Sequence, residues 1–428
     1  MKILFFVLLF AFPPFVLHAQ TGYIEVTAPG NRVMKLAVDS PHALDAVPAP
    51  ESARMVSDVL TFDLNMSGVV TAENHAQQPV VKNTSLTLSD VDIAPWQKLG
   101  LDLLVVSEYS TKNGQLTIEF RLYDVVNRKL LTAKRYLGAG KDLRRFSHSF
   151  ADEILRAMSG EPGAFTTRIA YVSTQSGNKE IYAMDWDGYN PLPLTNNGSI
   201  NLNPDFSPDG REIIFTSYKR GNPDLYRRAL SNMAEVPLST RKGLNITGNW
   251  SPDGNKIALA LSKDGDSEIY VIDKDGSHPT RLTHNAALDL YPAWSPDGKQ
   301  LAFVSDRLGK PQIFVMNADG SNVRRLTTSG SYNVNPRWSP KGDRIAYSRQ
   351  TKGGFNIFTI APDGSSDTQL TTDGNNENPS WSADGRLICF SSKRSSGNGV
   401  YVMRADGTGQ TKVTQGKGTF FQPVWSAH

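Results

Sequence analysis

The stretch Trp294-Ser295-Pro296-Asp297-Gly298 decides the fold, because the chain repeats it in register. It recurs as Phe206-Ser207-Pro208-Asp209-Gly210, Trp250-Ser251-Pro252-Asp253-Gly254, Trp338-Ser339-Pro340-Lys341-Gly342 and Trp381-Ser382-Ala383-Asp384-Gly385, and a truncated copy, Trp425-Ser426-Ala427, comes last. From Phe206 through Trp250 and Trp294 to Trp338 each step is 44 residues, the next is 43 and the last is 44 again. A fixed period of about 40–45 residues with strand-like content marks propeller blades. Within one period, Tyr291–Trp294 reads as a short strand, Ser-Pro-Asp-Gly as a tight turn and Leu301–Val304 as a buried strand. Ile313–Met316, the turn at Asp319-Gly320 and a polar outer strand ending at Arg325-Leu326-Thr327 complete four strands joined by hairpins.

The register extends to both ends of the repeat. Apolar residues stand seven positions after each aromatic anchor (Ile213, Ile257, Leu301, Ile345, Ile388), and the outer strands carry Leu238, Leu282, Leu326, Leu370 and Val413. Ile169, Ile181, Asp187-Gly188 and Leu194-Thr195 fit the same frame, but lack an innermost strand upstream. The leftover Gln422–Trp425 supplies it, so the expectation is a six-bladed propeller closed by the C-terminal strand, with no open sheet edge.

Before the repeats the texture changes. Residues 1–19 read as a signal peptide: one Lys, an apolar run interrupted by Pro13 and Pro14, and a small residue, Ala19, before Gln20. Residues 20–160 read as an N-terminal α/β domain. Tyr23–Thr27 and Val33–Val38 alternate as strands; Ser52–Asn65 and Leu143–Met158 are amphipathic helices with stops at Gly68 and Gly160. Leu103–Tyr109, Leu116–Tyr123 and Lys129–Tyr136 form a meander, with Asn113-Gly114 as its hairpin turn. Residues 161–167 are the linker and 168–428 the propeller.

Several chemistries lack their residues. No Gly-x-Ser-x-Gly elbow accompanies the propeller, which argues against an oligopeptidase-type hydrolase. The carboxylate pairs Asp185/Asp187, Asp273/Asp275 and Asp264/Asp266 fall at turns of the repeat and lack a calcium ligand set, and no His-x-x-x-His pair suggests zinc. Gly138-Ala139-Gly140-Lys141 lacks the spacing of a phosphate loop. No catalytic residue, cofactor or metal is expected. A formal charge of +3 is too small for a surface that tracks nucleic acid. The single cysteine, Cys389, reads as packing within a strand. The repeated tryptophans also read as packing; Tyr291, Tyr332, Phe421 and Trp186 are the aromatics with a prospect of exposure, and direct binding of carbohydrate or peptidoglycan is the second reading.

Taken together, the signal, the α/β domain leading into Gly163–Val172 and the six Trp-Ser-Pro-Asp-Gly blades resemble the TolB family, periplasmic components of the Tol–Pal cell-envelope system, over the whole mature length. The resemblance implies a non-catalytic periplasmic scaffold that serves outer-membrane integrity and cell division and acts within a Tol–Pal complex. It implies binding of the lipoprotein Pal at one propeller mouth, and of TolA by the mature N-terminal segment, here Tyr23, Ile24, Glu25 and Val26. By position, the Pal-facing residues fall in the loops just before each inner strand: Leu202 with Asn203, Leu244 with Ile246 and Thr247, Leu290 with Tyr291, Val334 with Asn335, Glu377 with Asn378, and Phe421. Other members carry His, Ala and Thr where this chain has Leu244, Thr247 and Leu290. The loops that emerge beside these carry Lys219, Arg220, Lys263, Arg307, Arg349, Lys393 and Arg394, so the residues themselves suggest an apolar mouth with a basic rim, the profile of a protein-binding face.

Overall fold

A computed structural model describes residues 33–44, 50–75, 91–395 and 397–427. The signal segment and Tyr23–Val26 lie outside the described residues. The N-terminal domain runs β1 (Met34–Val38), β2 (His42–Ala43), α1 (Pro50–Ser67), β3 (Val70–Asn74), α2 (Ala94–Lys98), β4 (Leu103–Lys112), β5 (Gln115–Asp124), β6 (Lys129–Gly138) and α3 (Leu143–Ser159). Its sheet has the order β3-β1-β4-β5-β6, with β2 beside β4; β1 is parallel to both neighbours and β4-β5-β6 is the expected meander. Asn113 and Gly114 both have positive φ, as a two-residue hairpin turn of this handedness requires. Gly160 is left-handed and caps α3 through its N–H on the Arg156 carbonyl. Strand β3 and the short α2 were not anticipated.

Six four-stranded antiparallel sheets follow, and the sixth to close is the first in sequence. The C-terminal strand Phe420–Trp425 pairs with Arg168–Ser173, which continues to Glu180–Asp185 and Leu192–Pro193. This is blade one; blades two to six take the chain in order from Asn201. The repeated phrase builds the turn between the two innermost strands. In blade four the Gly298 N–H donates to the Ser295 carbonyl, the Ser295 hydroxyl donates to Asp297 at 2.6 Å, and the Gln300 N–H returns to the Ser295 oxygen at 2.9 Å. Blade five has Lys341 in place of the aspartate, and there the Ser339 hydroxyl turns to Asp343 at 2.8 Å. Neighbouring blades share their cores: Ile214, Leu225 and Leu238 of blade two close over Trp250, Ile257 and Tyr270 of blade three. Cys389 is fully buried in such a layer, and burial pushes its thiol pKa up.

The two domains share one apolar core. Leu60, Leu64, Phe150 and Ile154 of the first pack with Ile169, Trp186, Val402 and Trp425 of the propeller. Trp186, expected as a turn residue with a prospect of exposure, is 0 % exposed. It lies 5.2 Å from Phe62 and 5.1 Å from Phe165 between ring centroids, because the first domain sits on that turn. One polar cluster threads this apolar junction. His148 of α3 lies 2.7 Å from Asp63 of α1 through Nδ1, and 3.2 Å from Asp187 of blade one through Nε2; Arg144 also pairs with Asp187. Burial alone would lower the His148 pKa, but Asp63 and Asp187 outweigh it and hold it at about 10. Burial raises Asp63 to about 7 against the pull of His148.

Two outcomes are expected. Ser295→Ala removes the acceptor of the Gln300 N–H and one of the two donors to Asp297, which keeps the Lys299 N–H, and should lower the unfolding free energy measured in urea by about 1 kcal/mol. His148 binds its proton more tightly folded than unfolded, so its contribution to stability is complete below pH 6.5 and is lost as pH rises toward 10. Urea midpoints measured from pH 6.5 to 10 should therefore fall in the wild type and fall less in His148→Gln.

Candidate functional site

Each inner strand breaks its ladder once, at the same place. Between Leu202 and Asp205 two residues, Asn203 and Pro204, stand opposite the single Phe215, and the other five blades repeat this bulge. The first bulge residue has positive φ in every blade: Asn203, Thr247, Tyr291, Asn335, Asn378 and Gln422. These six and the residues that follow them line a cavity of about 40 Å³ on the propeller axis. The residues expected in loops ahead of the inner strands therefore belong to the strands. Their extended start continues through the predicted positions, and the bulge turns them toward the axis. Leu244 alone precedes its strand.

Just beneath the ring the channel is spanned from side to side. Arg337 of blade five donates to Asp205 of blade two at 3.0 Å, and these blades stand opposite each other in a ring of six. Asp205 also accepts from Asn249 Nδ2 and from the Trp250 N–H of the next blade, each at 3.0 Å. Burial raises its pKa in spite of Arg337 and these donors. Asn249 and Ser380, at the same register, accept the N–H of Trp294 and Trp425 in turn.

Around the mouth, Leu202, Ile246, Leu290, Glu377 and Phe421 are half-buried, Val334 and Thr247 are buried, and Tyr291 and Asn335 face the cavity. More exposed apolar residues flank them: Leu308 at 61 %, Leu288 at 48 %, Ile200 at 41 % and Tyr332 at 38 %. Leu288 donates its N–H to Asp306 of the loop that carries Leu308, and Tyr332 meets Phe355 edge-on at 5.6 Å. The sequence reading missed Ile200, Leu288 and Leu308; the available signal was a lone branched side chain in a loop of turn-forming residues.

Most of the expected basic rim is folded back onto the blades. In each of blades two to six one cation lies over an aromatic of the third strand: Lys219 over Tyr226 at 3.8 Å, Lys263 over Tyr270 at 5.1 Å, Arg307 over Phe314 at 5.0 Å, Arg349 over Phe358 at 4.3 Å and Arg394 over Tyr401 at 4.6 Å. Carboxylates hold four of them: Glu235 for Lys219, Asp264 for Lys263, Asp289 for Arg307 and Asp367 for Arg349. Arg220 and Lys393 remain exposed. The Trp250 and Trp381 anchors are buried, and Trp294 and Trp338 are half-buried against the cores of blades four and five.

Residues 155–428 match the family model of the TolB beta propeller domain, and residues 22–131 that of the TolB amino-terminal domain. A Tol-Pal system protein TolB from Geobacter metallireducens is 55% identical over 200 residues, 47% of this chain and 46% of the relative. A protein TolB homolog from Chlorobium chlorochromatii is 38% identical over 208 residues, 48% of this chain and 46% of the relative. The chain thus spans about half the length of the curated relatives it matches. The crystal structure of TolB from Acinetobacter baumannii superposes with a TM-score of 0.81 at 25% identity, over 92% of this chain and 97% of that one.

The spanning ion pair makes a sharp prediction. Arg337→Met leaves Asp205 buried without its cation and should lower stability by about 3 kcal/mol, whereas Arg337→Met with Asp205→Asn should recover most of that loss in urea unfolding.

Proposed function

The chain belongs to the TolB family, and from that membership we propose that it is a non-catalytic periplasmic scaffold of a Tol–Pal system, binding the lipoprotein Pal at the propeller mouth and engaging TolA through Tyr23–Val26. The observation that carries the mouth is its chemistry. Apolar side chains from blade after blade converge there, and Leu288, Leu308 and Tyr332 extend the surface outward. Most of the cations that would keep such a rim hydrated are instead committed to aromatic rings and carboxylates. An apolar ring around the axial cavity, with few mobile charges, suits a stable protein partner. The first domain sits at the blade one and blade six turns, on the end opposite the mouth, which leaves the mouth open for docking.

Calorimetric titration of the full chain with the soluble Pal domain of the same organism tests this. Saturable binding is expected. Leu290→Asp or Leu308→Asp, each confirmed as folded by circular dichroism, should weaken it by about 2 kcal/mol or more, as loss of an apolar anchor does. Binding untouched by both substitutions overturns the choice of surface, and absence of binding overturns Pal as the partner.

A further inference from the structure

On the turn side of the propeller a groove of about 670 Å³ opens between blades three and four. Val271, Leu282 and Trp294 form apolar walls. Asp253, Asp273, Asp297 and Asp319 line it against one lysine, Lys256, and His278, which is held 2.8 Å from Asp273. Hydrogen bonds from Ser251, Ser295 and Ser321 lower the pKa values of Asp253, Asp297 and Asp319, so these acids are ionised at neutral pH. The groove is the right size for a ligand group, and its carboxylates outnumber its cations.

The flanking grooves reveal what fits such a space. Between blades two and three, Arg227 crosses and donates to the Lys274 carbonyl at 2.8 Å. Between blades four and five, Arg324 crosses and donates to the Pro362 carbonyl at 2.5 Å. Lys274, Ala318 and Pro362 occupy one repeat position, 44 residues apart, in the turn that starts each outer strand. In blade three the positions equivalent to Arg227 and Arg324 are Val271 and Thr280, and neither side chain can reach across. Ala318 lines the open groove.

We propose that this groove is a binding site for an arginine side chain presented by a partner protein. The guanidinium enters between the apolar walls, lies against the Trp294 indole, donates to the Ala318 carbonyl as Arg227 and Arg324 do to theirs, and pairs with the carboxylates of the rim. Charge complementarity selects a cation. The wall of Trp294, Val271 and Leu282 selects the planar, weakly hydrated guanidinium over an ammonium. The site lies away from the mouth, so it is independent of the Pal proposal.

The test uses the full chain and the probe acetyl-Leu-Arg-Leu-amide, followed through the tryptophan indole N–H resonances, with Trp294→Phe assigning the reporter. Saturable movement of the Trp294 resonance is expected, with the lysine counterpart of the peptide about tenfold weaker. Thr280→Arg fills the groove from within and should abolish the movement without lowering the melting temperature. Asp297→Asn with Asp319→Asn should weaken binding about tenfold. The proposal is overturned if the Trp294 resonance is unmoved by millimolar probe, if it moves equally in Thr280→Arg, or if the lysine peptide binds as well. Unchanged affinity in the double aspartate variant overturns it independently of how Thr280→Arg folds.

Discussion

Pairing of the last strand, Phe420–Trp425, with Arg168–Ser173 is the constraint on which the rest of the molecule depends. A four-stranded blade has two edges and two apolar faces, and neither face is buried by the blade itself. Packing each blade on the next buries the faces, as in the shared layer of Leu238, Trp250 and Ile257. Only a closed ring leaves no face over, and here closure joins the first and last strands of the propeller. The Ser426 hydroxyl, which accepts the Arg168 N–H, and the Trp425 indole, which donates to Thr167, tighten the same seam. Because that seam also carries Trp186 and the core of the first domain, closure and domain docking are one packing event.

Closure also gives the channel its chemistry. The pair Asp205–Arg337 exists because blades two and five are held opposite each other at a fixed spacing. Burying the two charges is costly, and their attraction offsets that cost only at good geometry. Hydrogen bonds to Asp205 from Asn249 and Trp250 supply the rest and bind blade two to blade three at the same atom. The inner strands thus communicate through side chain to backbone contacts, Asp205 to Trp250, Asn249 to Trp294 and Ser380 to Trp425, which run in one direction around the ring.

The repeat made the propeller legible: one aromatic anchor, one turn and two recurring apolar positions per period leave little freedom in strand order or pairing. Hairpin and helix ends in the first domain were legible for the same local reason, since Asn113-Gly114 and Gly160 require positive φ. What the sequence concealed depends on partners far away in the chain. Trp186 sits in a turn, and only the docking of α1 and the linker beside it, with Phe62 and Phe165, buries it. The loop cations read as a solvated rim because a sequence lists charge without direction; Tyr226, Phe314, Phe358 and Tyr401 turn them inward. The loop that Leu202 and Leu290 were assigned to is strand, since the bulge adds a residue without interrupting the pairing on either side.

That bulge fixes the geometry around the propeller axis. Left-handed backbone is unfavourable for a β-branched or bulky residue, yet Thr247 and Tyr291 adopt it beside Asn203, Asn335 and Asn378, for which it is easier. A strained conformation persists only where its surroundings over-determine it, and here two paired strands and a closed ring do so. The consequence is positional: six side chains at the mouth are aimed by backbone locked in a ladder rather than by loops. A surface built this way loses little conformational freedom when a partner docks, so more of the contact energy is available for binding. The same backbone that could not be read from the apolar pattern is what holds the residues around the axial cavity in place.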